Sequence, residues 1–139
     1  MISKKTKSLA EVNVGDQLEA LSIPITVTLI NGGAIATRDY FPGHHDKEAA
    51  QALGSPHIFM NILTTNGLVQ RFVETWAGPG ARFRDQKIKL GAPNYPGDTM
   101  TFTGEVVERD QATSSVVVSF KGKNSMGNHV AGTVTVVLP

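Results

Sequence analysis

The spacing of apolar and polar residues changes along this chain. Between Phe59 and Trp76, residues Ile62, Val69, Phe72, Val73 and Trp76 recur at about three- and four-residue spacing, and Leu63 and Leu68 widen the apolar face. This predicts one long helix, buried on most sides and stopped by Gly78-Pro79-Gly80. Beyond it the period shortens to two. Thr99 to Phe102 alternates polar with apolar, as does Thr133 to Val136, the mark of a sheet with one wet face. Strands are predicted over Arg82–Leu90, Thr99–Glu108, Ser114–Lys123 and His129–Leu138, with a long turn over 91–98 and a hairpin loop at Asn124–Asn128.

The first half is less regular. Ile, Val, Thr and Leu crowd the stretch from Ile23 to Ile35 and predict strands, broken by a bend at Asn31-Gly32-Gly33 and resuming from Ala34 to Asp39. Phe41-Pro42-Gly43-His44 is a turn signature, because proline presets the first corner and glycine tolerates the second. Asp46 then caps a short helix over Lys47–Leu53, which Gly54-Ser55-Pro56 stops. The expected architecture is α+β: five or six mostly antiparallel strands and one long helix covering the sheet. Open sheet edges favour pairing with a second subunit.

At 139 residues the chain is expected to form one domain over 14–139, with 1–13 a flexible segment and Lys4, Lys5 and Lys7 a solvated end. The balance of 13 basic against 12 acidic residues gives no reason to expect nucleic acid or an anionic membrane as partner. No cysteine is present, so a thiolate nucleophile and a disulfide framework are excluded, and the composition suits a reducing cytoplasm. The basic N-terminus is not followed by the apolar run of a secretory signal, and no segment approaches the ~20 apolar residues of a membrane span.

Two side chains are the leading candidates for chemistry. Asp39 closes a predicted strand and His44 follows a Pro-Gly turn. A β-turn brings its ends within ~7 Å, so both can face one small volume. A carboxylate beside an imidazole favours its charged form, and such a pair can hold a water and move a proton. The plain alternative is a loop Asp and His that cap a helix or face solvent. His44-His45-Asp46 also admits a metal reading, but adjacent residues diverge and no second histidine cluster has zinc-like spacing; no metal or cofactor is expected. His57 and His129 are single, read as surface or hydrogen-bonded residues. The helix start near Phe59–Ile62 offers unpaired N–H groups that favour negative charge, as every helix start does.

The run Asp39-Tyr40-Phe41-Pro42-Gly43-His44-His45-Asp46-Lys47-Glu48-Ala49-Ala50 resembles the hydratase signature of the MaoC-like family: Asp, aromatic, Asn, Pro, any residue, His, any residue, Asp, then a short Ala-containing helix. Val14-Gly15-Asp16 and Tyr95-Pro96-Gly97-Asp98-Thr99 are similar to the family's opening and its central loop. Phe41 stands where the signature has Asn, and Asn61 where many members have Gly after a His. Ala36–Tyr40, Ile58–Thr64, Gly67–Val73 and Trp76–Pro79 resemble more narrowly the small MaoC-like subunits of bacterial steroid side-chain enoyl-CoA hydratases. The resemblance implies a hot-dog fold, a curled sheet around one helix. It also implies hydration of an enoyl-CoA thioester, with Asp39 and His44 handling the water and His44 as general acid. The backbone N–H near Asn61 is then expected to polarise the thioester carbonyl, with Phe41 and Met60 contacting substrate. The implied partner is a second, larger MaoC-like subunit carrying an OB-type domain, or a second copy of this chain.

Two other readings stay open: a non-catalytic subunit that binds acyl-CoA or scaffolds a partner, and a thioesterase on the same fold. A thioesterase needs a carboxylate on or near the long helix; Glu74 is the acid within it, and it lies towards the far end.

Overall fold

Residues 5–139 are described by the computed structural model of the chain. In order they form β1 (Leu21–Pro24), α1 (Val27–Ala36), α2 (Lys47–Ala52), α3 (Ile62–Ala77), β2 (Arg82–Leu90), β3 (Thr99–Asp110), β4 (Ser115–Asn124) and β5 (Gly127–Val137). The five strands make one antiparallel sheet in the order β1-β3-β4-β5-β2.

Alternation builds the inner face of that sheet. Met100, Phe102 and Val106 of β3, Val116, Val118 and Phe120 of β4, and Val130, Val134 and Val136 of β5 are all buried. Helix α3 answers with Thr64, Thr65, Leu68, Val69, Phe72, Val73 and Ala77, the stripe that a 3.6-residue period brings to one side. Phe72 stacks on Phe102 with ring centroids 5.2 Å apart and 14° between planes. Gly78 (φ 95°) ends α3, its N–H reaching the Glu74 carbonyl at 2.8 Å. The edge strand β2 carries Arg82, Arg84, Asp85, Lys87 and Lys89, charges of the kind that keep an open edge from pairing indiscriminately.

Two expectations are corrected. The stretch from Ile23 to Ile35 is not a pair of strands. Only Leu21–Pro24 pairs with β3, and Val27–Ala36 is helical through the supposed bend at Asn31-Gly32-Gly33. Thr26 starts this helix by accepting from the Leu29 N–H at 3.0 Å. Ile30 and Ala34, one turn apart, are its buried residues. Gly33 lets it approach α3: a Cβ there would lie 2.1 Å from the Thr64 hydroxyl oxygen. Tertiary packing thus outweighs the strand preference of the β-branched residues.

The N-terminal segment is packed where it is described. Leu9 and Val12 belong to the core, and Glu11 caps the turn at Ser8 and pairs with Lys5 at 2.9 Å. Lys4 lies outside the described residues.

Candidate active site

Helix α1 delivers the carboxylate. Its C-terminus closes with two bonds, Arg38 N–H to the Ile35 carbonyl at 3.1 Å and Asp39 N–H to the Ala34 carbonyl at 2.9 Å. Arg38 between them takes a left-handed conformation (φ 55°), the pattern of a Schellman cap. Asp39 therefore follows a helix, not the strand expected of it, and the cap fixes its direction. Pro42–His44 then forms a single 3-10 turn, with the His44 N–H on the Phe41 carbonyl at 3.0 Å. Gly43 is required there, because a Cβ would meet the Phe41 and Phe59 rings at 2.8 and 2.9 Å. Asp46 caps α2 through the Ala49 N–H at 3.1 Å and takes no part in the cluster.

The result brings His44 Nε2 to 3.4 Å from Asp39 Oδ2, with the His44 side chain 9% exposed and that of Asp39 29%. The other ring nitrogen, Nδ1, lies 2.6 Å from the Phe59 carbonyl oxygen. A carbonyl only accepts, so Nδ1 carries a proton; in the neutral form of the ring Nε2 then presents its lone pair beside the carboxylate. Phe41 and Phe59 meet the imidazole edge-on, at centroid distances of 5.4 and 4.8 Å, and hold its plane. At 3.4 Å the His44–Asp39 contact is too long for a close hydrogen bond, so both atoms retain capacity for a third oxygen.

Asn61 holds the carboxylate from the other side. Its Nδ2 donates to Asp39 Oδ2 at 3.0 Å and to Thr37 Oγ1 at 2.9 Å, while its Oδ1 accepts from the Thr64 N–H at 2.9 Å and so caps α3. Thr37 is oriented in turn by donating to the Gly33 carbonyl at 2.7 Å. The Asn61 bond, the Phe41 N–H at 3.3 Å and the positive charge of the adjacent ring when it is protonated lower the pKa of Asp39 below the ordinary carboxylate value, the first contributing most. The sequence reading assigned Asn61 only through its backbone. Its position three residues before Thr64, at the start of an apolar period, is the cap signal that marks it.

Phe41 is half exposed beside the pair. Met60 is not: it is 6% exposed and belongs to the core, with the buried Asn94 amide 3.7 Å from its sulfur. Tyr40, Ile62 and Leu63, residues next to the site in the chain, are exposed apolar side chains. His57 accepts the N–H of Ile58 at 2.8 Å, and His129 is buried and bonded to Thr65 and Ala92. No cluster of three potential metal-ligating side chains occurs among the described residues. Nor is any helix among them long and apolar enough to cross a membrane.

A family model described as the MaoC like domain matches residues 10–128. The chain belongs to the MaoC-like family. Over 121 residues it is 45% identical to the 3-oxo-4,17-pregnadiene-20-carboxyl-CoA hydratase beta subunit of Mycobacterium tuberculosis, spanning 87% of this chain and 92% of that one. It superposes on a chain of the ChsH1-ChsH2 complex from Mycobacterium tuberculosis with a TM-score of 0.88 and 42% identity, covering 91% of this chain and 98% of that one. The R-hydratase PhaJ1 from Pseudomonas aeruginosa shares the fold at 22% identity and TM-score 0.87, over 95% of this chain and 85% of that one. The single sheet packed on α3 is thus the hot-dog architecture of the MaoC-like family. The turn that bears His44 lies between α1 and α2.

Proposed function

We propose that this chain is the dyad-bearing subunit of an enoyl-CoA hydratase, acting on a steroid side-chain enoyl-CoA and working with a second MaoC-like subunit. The observation that carries this reading is His44 Nε2 at 3.4 Å from Asp39 Oδ2, with Nδ1 tied to the Phe59 carbonyl. A neutral imidazole so held is a general base aimed at the space the carboxylate shares.

Water bound between Asp39 and Nε2 loses a proton to Nε2 as its oxygen bonds to the β-carbon. The electrons of the double bond move towards the α-carbon and the thioester oxygen. The imidazolium, stabilised by Asp39, returns the proton to the α-carbon, so one water is added and both residues are restored. His44 is base and then acid; Asp39 orients the water. The developing enolate oxygen is served by N–H groups at the start of α3, near Asn61, where the helix dipole favours negative charge.

Identity of 45% to a named CoA hydratase subunit supports the reaction and the steroid acyl group. Likeness to a two-protein complex, together with exposed Tyr40, Phe41, Ile62 and Leu63, supports a partner that covers this face and completes the acyl site. An OB-type domain on that partner belongs to the same proposal, as does a cytoplasmic location. The thioesterase reading finds no support: Glu74, on the last turns of α3, is remote in the chain from Asp39, His44 and Asn61.

The test follows loss of the conjugated enoyl absorbance with short-chain and steroid enoyl-CoA substrates, with and without a second MaoC-like subunit. Asp39→Asn and His44→Ala are expected to lower kcat by at least about 100-fold, within the range ascribed to general acid–base groups, with circular dichroism unchanged. Full turnover by either variant would overturn the mechanism.

A further inference from the structure

Behind the dyad, the first turn of α3 is tied to the sheet by one buried hydrogen-bond chain that the reaction scheme does not use. His129, near the start of β5, is 4% exposed. Its Nδ1 lies 2.7 Å from the Ala92 carbonyl oxygen and its Nε2 lies 2.8 Å from Thr65 Oγ1. Thr65 is itself fully buried and sits one turn after Asn61, whose carbonyl accepts the Thr65 N–H at 3.2 Å. The same carbonyl lies 3.3 Å from Thr65 Oγ1.

The proton inventory of this chain is determinate. The Ala92 carbonyl only accepts, so Nδ1 carries a proton. Burial lowers the pKa of His129, and no charged side chain contributes to that shift. The ring is therefore neutral near pH 7, and Nε2 must accept. The single hydroxyl proton of Thr65 then goes to Nε2, at 2.8 Å, and not to the Asn61 carbonyl at 3.3 Å. This joins three separate segments: β5, the loop after β2, and the α3 turn whose cap, Asn61, holds Asp39.

We propose that His129, acting through Thr65, is a positioning residue for hydration: it pins the first turn of α3 so that the Asn61 amide and the N–H groups of that turn stand in register with the dyad. The proposal rests on the hydratase reading. A misplacement of the order of 1 Å in such a frame costs up to about 100-fold in rate, without altering substrate affinity in proportion.

The test compares Thr65→Val, which keeps the buried shape and loses the hydroxyl, with Thr65→Ser, which restores the hydroxyl, both in the assembled enzyme. Thr65→Val is expected to lower kcat about tenfold, with KM within about twofold and melting temperature within a few degrees; Thr65→Ser recovers most of kcat. His129→Gln, whose amide can reach Thr65, retains more kcat than His129→Asn, which reaches only towards Ala92. Wild-type kcat in Thr65→Val overturns the proposal, as does a loss of rate that tracks loss of fold and that Thr65→Ser does not restore. Asp39→Asn, assayed in parallel, separates the two levels: if it is inactive while Thr65→Val is fully active, the positioning role fails and the hydratase reading stands. If Asp39→Asn is active, the hydratase mechanism itself fails.

Discussion

Asn61 caps α3 with its side-chain oxygen and holds the Asp39 carboxylate with its side-chain nitrogen, at 2.9 and 3.0 Å. The two bonds fix each other. Once Oδ1 is committed to the Thr64 N–H, Nδ2 must face Asp39 and Thr37, so the helix start and the Asp39 carboxylate are set by one planar group.

Asn61→Ala removes both bonds. It is expected to destabilise the fold by about 0.5–2 kcal/mol through the lost cap, and to lower kcat by about tenfold or more through the released carboxylate. Asn61→Asp keeps the cap but sets two carboxylates against each other, which raises the pKa of Asp39. Denaturant titration and the acid limb of the pH–rate profile check both outcomes. An Asn61→Ala variant with wild-type kcat would show that Asp39 needs no such support.

Stability should fall with acid in two separate windows. The pKa of His129 is lowered by burial, so below its unfolded value of about 6.5 the unfolded chain binds more protons than the folded one, and stability drops as the pH falls. The carboxylates of Asp39, Asp98 and Asp110 are lowered by hydrogen bonds. Their contribution is complete above about pH 4 and is lost only as pH falls through their folded values. Chemical denaturation between pH 7.5 and 5 is expected to show the first decline in the wild type and not in His129→Gln. An equal decline in both would assign the effect elsewhere.

Arg38 holds a left-handed conformation that costs an ordinary residue roughly 1–2 kcal/mol. Arg38→Gly is expected to raise stability by up to about 1 kcal/mol with activity retained, because the Schellman cap and the path to Asp39 survive. Arg38→Val should destabilise, since a β-branched residue resists positive φ. Thermal melting decides, and a lower melting temperature for Arg38→Gly contradicts the role assigned to the backbone here.

Gly33 and Thr64 set how closely α1 approaches α3. A methyl group on Gly33 would lie 2.1 Å from Thr64 Oγ1, so Gly33→Ala is expected to cost about 1–3 kcal/mol. Combining it with Thr64→Ala makes room, so the double variant should be more stable than the sum of the two single effects predicts. Strict additivity would mean the helices do not meet at these residues.

Periodicity was sufficient for α3 and the three long strands, since each buries one face against a large core and the burial imposes the pattern. Lys47–Ala52 and its cap Asp46 were legible because capping is local chemistry. Asp39 and His44 were legible as a pair because five residues and a Pro-Gly corner limit how far apart they can be. The helix Val27–Ala36 was not legible. Its β-branched residues and paired glycines argue locally for strand and bend, and it is helical because Ile30, Ala34 and Gly33 find partners far along the chain. Nor could spacing show that Asn61 reaches Asp39 across 22 residues, or that His129 meets Thr65 across 64. Local patterns are written in the order of residues; contacts between distant segments exist only once the sheet has curled against α3 and brought those segments within hydrogen-bond range.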